Sequence, residues 1–369
     1  MKGVIIFSGF NMRALYAFIR TLENNDISYY IIASSNDDEI FKTQYKEKVF
    51  SVRNEKSLIL QDVIRSINKV QEIAQLEKYF IAPSTEALNR FLLKHRAIFS
   101  GLGCTIPLIQ KSLYEDISNK YSFGQICEKY GIKTPKEFSV LSFDVPCVAK
   151  PKQYCGEVSK QILKPVLILT ETQKENFIKT YCLDDFYFQE FIGGKSFYLL
   201  YYFYQDGTFL KYSQENLIQQ CDGGSILAAK SSTFHCGQYS EPYERLFREI
   251  NYHGLIMIES KLHQNEVYMI EANPRFWGPS QLFVDAGVNF FNAMLQDYNL
   301  LERAPNIVNP VEGDTYYFWN DGESFQAKCI REAVFYNYSK GMFFDELAQW
   351  NKVNLLNRPD TLDIYKELV

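Results

Sequence analysis

The sequence has little of what usually marks a metal centre, an export route or a nucleic-acid surface. Its 369 residues include only four histidines (His95, His235, His253 and His263), and no two of them are spaced as paired ligands. The eight cysteines (Cys104, Cys127, Cys147, Cys155, Cys182, Cys221, Cys236, Cys329) contain no C-x-x-C pair, which excludes a zinc ribbon and a dithiol redox motif. Cys236 beside His235 is too little for a metal site by itself. The longest apolar run, residues 197–204, is far short of a membrane span. Residues 1–7 lack the apolar stretch and small-residue cleavage site of a signal peptide, so the thiols are expected to be reduced, mostly buried, and cytoplasmic. A net charge of -5, with no basic run, leaves no electrostatic footprint for nucleic acid. Glycine is scarce where a dinucleotide would need it: the first turn offers only Gly9, so the G-x-G-x-x-G cradle is absent.

What is present suits a folded chain. Apolar residues make up 46% and charged residues 22%, and the length suits two or three packed units rather than one core. Tyr (26) and Phe (29) supply packing mass. Residues 4–7 form an apolar run that predicts a strand covered on both faces. Asn11 stands where a helix N-cap belongs, ahead of Leu15, Phe18, Ile19 and Leu22 at helical spacing. Residues 29–33 and 79–82 predict further strands, the latter followed by a helix bearing Leu88, Phe91 and Leu92. Strand and helix alternate, so a parallel sheet of the α/β class is expected, with a boundary near residues 107–113.

The chemistry concentrates further on. Residues 255–260 and 267–273 read as two strands around a turn at Asn265. Period-two alternation puts Leu255, Met257 and Glu259 on one face of the first strand, and Val267, Met269, Glu271 and Asn273 on one face of the second. A hairpin centred at Asn265 sets Glu259 opposite Glu271, about 5 Å away. Two carboxylates at that distance repel unless a cation lies between them, and Asn273 adds a neutral oxygen on the same face. An oxygen-only set with few protein donors suits Mg²⁺, which completes its shell with phosphate and water. Two solvent-exposed strand glutamates would explain neither the shared face nor the apolar flanks.

The segment Ile270-Glu271-Ala272-Asn273-Pro274-Arg275-Phe276-Trp277-Gly278 resembles the metal-binding signature of the ATP-grasp superfamily, in the branch of carbamoyl-phosphate synthetase, biotin carboxylase and amino-acid ligases. The resemblance implies that Glu259, Glu271 and Asn273 hold Mg²⁺, with Mn²⁺ able to substitute. It also implies that Arg275 steadies an acyl-phosphate. Upstream, residues 113–130 predict one amphipathic helix carrying Ser118-Asn119-Lys120, which is similar to the family's first phosphate-lysine segment. Lys150, ending the apolar strand Val145-Pro146-Cys147-Val148-Ala149-Lys150, matches its second. Lys150 and Arg275 are thus the expected catalytic residues, and Lys120, Lys150 and Lys152 the expected phosphate contacts. Residues 186–194 resemble the family hinge, where Gln189, Glu190, Phe191 and Ile192 would line the adenine.

The resemblance spans roughly residues 113–300. It implies an N-terminal Rossmann-like pre-ATP-grasp domain (1–112), then an α+β ATP-grasp domain with a small lobe (113–186) and a large lobe (187–300), and a C-terminal extension (301–369) packed on that core. The loop after Lys150 departs from the family in having one glycine, Gly156; Lys195-Ser196 stands where an acidic ribose contact is usual; and the Glu259 position varies within the family. Residues 211–216 and 221–225 are polar stretches expected between strands, facing the acceptor or forming an ordinary hairpin loop. Residues 316–319 predict a strand, residues 325–338 a helix, and Arg358-Pro359-Asp360 a tail edging the cleft. The implied function is an ATP-dependent carboxylate–amine ligase working through an acyl-phosphate on small molecules, with a homodimer as the family-level expectation. A carboxylase, a phosphoryl transferase and a non-catalytic nucleotide-binding module stay open.

Overall fold

A computed structural model of the chain describes residues 2–139, 143–220, 223–302, 312–320 and 333–368. The first apolar runs form strands β1 (Lys2–Phe7), β2 (Tyr29–Ala33), β3 (Val49–Val52), β4 (Lys78–Ile81) and β5 (Cys104–Thr105). They make a parallel sheet in the order β3-β2-β1-β4-β5, as the alternation of strand and helix predicts. Helix α1 (Met12–Asn24) buries Leu15, Phe18, Ile19 and Leu22 as their spacing requires. Asn11 does not cap it. In a left-handed conformation (φ 48°), its carboxamide is turned away from the helix and donates to the Ser84 and Phe276 carbonyls at 3.0 and 3.2 Å. Gly9, at φ 80°, is needed for packing: a Cβ there would meet Ser34 Oγ at 2.2 Å.

Helices α2 (Leu60–Ala74), α3 (Glu86–Lys94) and α4 (Arg96–Gly101) complete this part. The single helix expected over residues 113–130 is in fact two, α5 (Lys111–Ser118) and α6 (Lys120–Lys129). The break is at Asn119, whose extended backbone lets its side chain accept from the Tyr121 and Ser122 amides and start a new helix. Lys120 therefore stands at the first position of a helix instead of mid-face.

Four short strands follow: β6 (Glu137–Phe138), β7 (Cys147–Pro151), β8 (Val166–Ile168) and β9 (Phe186–Glu190), antiparallel in the order β6-β9-β7-β8. A small core of Phe143, Cys147, Ala149, Ile168, Phe177, Phe186 and Phe188 backs them. The largest sheet has seven described strands: β10 (Lys195–Phe203), β11 (Phe209–Gln219), β12 (Ile226–Ser232), β13 (Gly254–His263), β14 (Glu266–Asn273), β15 (Tyr316–Phe318) and β16 (Val334–Phe335). Their order is β14-β13-β10-β11-β12-β15, with β16 on β11. Its two faces enter two cores shared with the parallel sheet. Leu200 and Met257 cluster with Val4 and Ile6, while Ile256 and Ile258 cluster with Ile5 and Phe7.

Two expectations change here. Residues 211–216 are not a connection but the middle of β11, where their polar side chains alternate across the sheet. Of the helix expected over 325–338, residues 325–332 lie outside the described set, and Val334–Phe335 is a strand, because its backbone pairs with Ile218 and Gln219. Residues 316–318 are a strand as expected. At the tail, Asp360 accepts from Arg20 Nε at 2.9 Å and Tyr45 Oη at 2.7 Å, and Arg358 pairs with Asp285. Among the described residues, no helix is long and apolar enough to cross a membrane. All six described cysteines are free; Cys104, Cys127 and Cys147 are buried, whereas Cys155 and Cys236 are exposed.

Candidate active site

The β13–β14 hairpin turns through Gln264 and Asn265, both at positive φ (49° and 64°), the backbone that a two-residue turn between twisted strands needs. That turn fixes the register, and Glu259 lies opposite Glu271 as the spacing predicts. Met257 and Asn273 are the next facing pair. The expected face of β14 is only half right. An extra residue, Ile270, interrupts the ladder, so Met269 falls opposite Ser260 and packs with Ile256 and Ile258 on the other face. Val267 is displaced by the same shift, and Tyr268 takes the place opposite Lys261.

Facing pairs extend this row across the sheet. Glu271, Glu259, Tyr198, Gln214 and Ser231 occupy successive strands, and beside them run Lys261, Ser196 and Asn216. Gln214 donates to Asn216 at 2.7 Å and Asn216 to Ser196 at 2.9 Å, leaving Gln214 Oε1 buried without a partner. Glu259 is only 7% exposed, yet no hydrogen bond or ion pair reaches its carboxylate among the described residues. Glu271 accepts from Asn273 Nδ2 at 2.7 Å and forms an ion pair with Lys120. Arg275 Nη2 donates to Asn273 Oδ1 at 2.9 Å, while its buried Nε has no hydrogen-bond partner among the described residues and lies 3.9 Å from the Glu86 carboxylate.

Lys150, on β7, reaches across to the Ile270 carbonyl at 2.9 Å. The bulge thus exposes a backbone acceptor that the second lysine uses, and the neighbouring Met269 amide donates to the Lys133 carbonyl at 2.8 Å. Burial pulls the Lys150 ammonium down to about 7, with the charge of Lys120 acting in the same direction. Burial also lowers Lys120, to about 8, against the pull of Glu259. Lys261 is lowered by burial as well, and its ammonium sits over the Tyr336 ring, 3.9 Å from the centroid.

The remaining expected residues occupy the four-stranded sheet and its loops. Lys152 is held by its backbone: its N–H donates to the Asp185 carbonyl, and its carbonyl accepts from Asn119 Nδ2 at 2.6 Å. Its loop folds against Asp185, and a Cβ on Gly156 would meet Asp185 Oδ2 at 2.5 Å. Gln189 is buried and donates to the Pro135 carbonyl at 3.3 Å, with its Oε1 unpaired. The Glu190 carboxylate accepts from the Lys136 amide at 3.0 Å. Phe191 is 39% exposed and Ile192 is buried. Lys195 pairs with Glu215, and the buried Ser196 accepts from Asn216. Of residues 221–225, Cys221 and Asp222 lie outside the described residues, and the Gly224 carbonyl accepts from Gln219.

Sequence reasoning did not reach Tyr198, Lys261, Tyr336 or Glu86. Lys261 had a signal, since it stands two residues beyond Glu259 on the same face. Tyr198 and Tyr336 meet the site only through pairings between distant strands. Among the described residues, no three His, Cys, Asp or Glu side chains cluster to hold a metal. Two carboxylates and a carboxamide remain, and the Glu259 carboxylate takes no hydrogen-bond donor among the described residues. That is a fit for Mg²⁺, which needs few protein ligands when phosphate and water supply the rest.

No family model and no curated protein sequence matches the chain. Its three-dimensional structure does have counterparts. Biotin carboxylase from Campylobacter jejuni, in a complex with β,γ-ATP, superposes with a TM-score of 0.62 at 13% identity, covering 85% of this chain and 74% of that one. N5-carboxyaminoimidazole ribonucleotide synthetase from Thermus thermophilus gives 0.62 at 12% identity, covering 85% and 82%. The biotin carboxylase domain dimer of Hydrogenobacter thermophilus 2-oxoglutarate carboxylase, with MgADP and bicarbonate, gives 0.62 at 12% identity, covering 85% and 73%.

Proposed function

We propose that this chain, which has the ATP-grasp fold, is an ATP-dependent ligase that joins a carboxylate to an amine and releases ADP and phosphate. One observation carries the reading: Glu259 and Glu271 face each other in register, and Lys120 and Lys150 from outside that sheet converge on the same hairpin. With no hydrogen-bond donor on it among the described residues, the Glu259 carboxylate is open to a cation, and its charge already acts on Lys120, Lys150 and Lys261.

In this reading residues 113–300 form the catalytic unit and residues 1–112 and 301–369 wall it. The substrate carboxylate attacks the terminal phosphorus of ATP, and the bond to ADP breaks. An amine then displaces phosphate from the acyl-phosphate. Lys120 and Lys150 hold phosphate oxygens and balance their charge, with Lys152 at the loop. Arg275, braced on Asn273, holds the acyl-phosphate. The hinge of Gln189, Glu190, Phe191 and Ile192 takes the adenine, whose ring Phe191 is exposed enough to meet. Mg²⁺ held by Glu259, Glu271 and Asn273, or Mn²⁺ in its place, would supply positive charge to the phosphoryl oxygens. Small-molecule substrates and a homodimer complete the proposal, the latter checked by light scattering.

Release of ADP over a matrix of carboxylates and amines, with the product weighed by mass spectrometry, tests it. Glu271→Gln should lose ADP formation down to background; product formation near the wild-type rate would end the reading. A second reading, a nucleotide-binding module without catalysis, is favoured by the loop folded against Asp185 with a single glycine. Binding of ATP with no ADP released across the panel would select it.

A further inference from the structure

Helix α1 carries a cation, Arg13, that nothing in the proposed reaction yet uses. Arg13 is partly buried, and no carboxylate pairs with it among the described residues. Its guanidinium stacks over Trp319, 4.0 Å from the ring centroid. Nη2 donates to Ser225 Oγ at 2.8 Å, and Nη1 makes a long contact of 3.4 Å with the Ile226 carbonyl. The group is fitted closely into place: a Cβ on Gly278 would lie 2.6 Å from Cζ. Gly278 is three residues beyond Arg275 in the sequence.

Both arginines act electrostatically on Tyr198, the member of the polar row next to Glu259. Arg13 also lies beside the buried hydroxyl of Tyr317, close enough to interact with it. A planar cation stacked on an indole, with no carboxylate against it among the described residues, is arranged for an oxyanion. If it served only to fasten α1 to β12, a neutral side chain would do so without the expense of desolvating a charge.

We propose that Arg13 binds an anionic group, carboxylate or phosphate, on the organic substrate that enters beside Arg275. The site therefore selects substrates with an acidic group in addition to the one that reacts. The proposal rests on the ligase reading for the identity of the cleft, but its test reads binding, not turnover.

Isothermal titration of the full chain with succinate and with inorganic phosphate, in parallel with a non-hydrolysable ATP analogue, separates the cases. Wild-type protein should bind one of the two anions, and the identity of that anion tells carboxylate from phosphate. Arg13→Gln should weaken that anion at least tenfold and leave the ATP analogue unchanged; Arg13→Lys, which keeps charge without the fork, should fall between. Equal anion binding in wild type and Arg13→Gln would overturn the proposal, as would a wild type that binds neither anion. Should Arg13→Gln fail to fold, Arg13→Lys decides alone, with unchanged anion affinity as the contrary result. Loss of ATP-analogue binding in the wild type would count against the ligase reading and leave the anion result standing.

Discussion

At the edge of the parallel sheet, Asp38 is surrounded by donors: Ser8 Oγ and Ser34 Oγ at 2.7 Å, the Ser34 amide at 2.8 Å and the Ile40 amide at 3.0 Å. In the seven-stranded sheet, Glu259 is buried to a similar degree, 7% exposed against 5%, and receives no donor among the described residues. The first carboxylate is used up by the fold: its charge is met by hydrogen bonds that tie the turn after β1 to the turn after β2. The second is kept in reserve. Lys150 and Lys261 are buried ammonium groups with depressed basicity, the first on the Ile270 carbonyl and the second over the Tyr336 ring. Buried polarity is ordinary when saturated, and it points to a ligand where donors are withheld.

Substitutions at the two acids should separate these roles. Glu259→Gln keeps shape and removes charge, so ADP release should fall by about two to three orders of magnitude, the usual loss on removing one group that stabilises developing charge. Its melting temperature should change little, because no hydrogen bond within the described fold is lost. A destabilised but active variant would break the comparison. Asp38→Ala should do the reverse, costing about 3 kcal/mol or more in urea unfolding, since charge-assisted hydrogen bonds contribute about 1.5–3 kcal/mol each, with activity per folded molecule retained.

A pH series sharpens the contrast on the cationic side. Lys150 titrates near 7 in the folded protein and about 10.4 in the unfolded chain. Between those values the unfolded chain holds more protons, so the lysine makes ligand-free stability rise with pH across that window. If Lys150 holds phosphate in its charged form, as proposed, affinity for a non-hydrolysable ATP analogue should fall about fiftyfold between pH 7 and pH 9. Lys150→Met should flatten both trends, as titration calorimetry and thermal melts would record.

Much of the fold was open to sequence reading because its signals are local. The apolar runs of β1, β2 and β4 and the spacing of α1 depend on nothing beyond their own residues. The pairing of Glu259 with Glu271 was open for the same reason, since a turn at Asn265 sets the register of its own hairpin. What failed depended on partners far along the chain. Asn11 looked like a cap, but two distant carbonyls claim its side chain. Residues 211–216 looked like a loop because polar residues in a strand interior are explained only by the row of Tyr198 and Glu259 beside them. Ile270 gave no sign of being an extra residue. Asn119 did carry a signal, since Asn before a helical run is a good N-cap, but the continuous apolar spacing on either side masked it. Asn119→Ala should be the mildest of these changes, costing about 1 kcal/mol for the lost cap and raising the KM for ATP through the freed Lys152 carbonyl.

The extra residue in β14 has a further consequence. By lending its ammonium to the Ile270 carbonyl, Lys150 keeps a backbone acceptor satisfied while no nucleotide is present. On the proposed reading a phosphate and this carbonyl would draw on one lysine, which as an ammonium has three N–H donors to divide between them. Infrared spectra with a ¹³C label at the Ile270 carbonyl would register that division as a shift of the amide band when an ATP analogue binds.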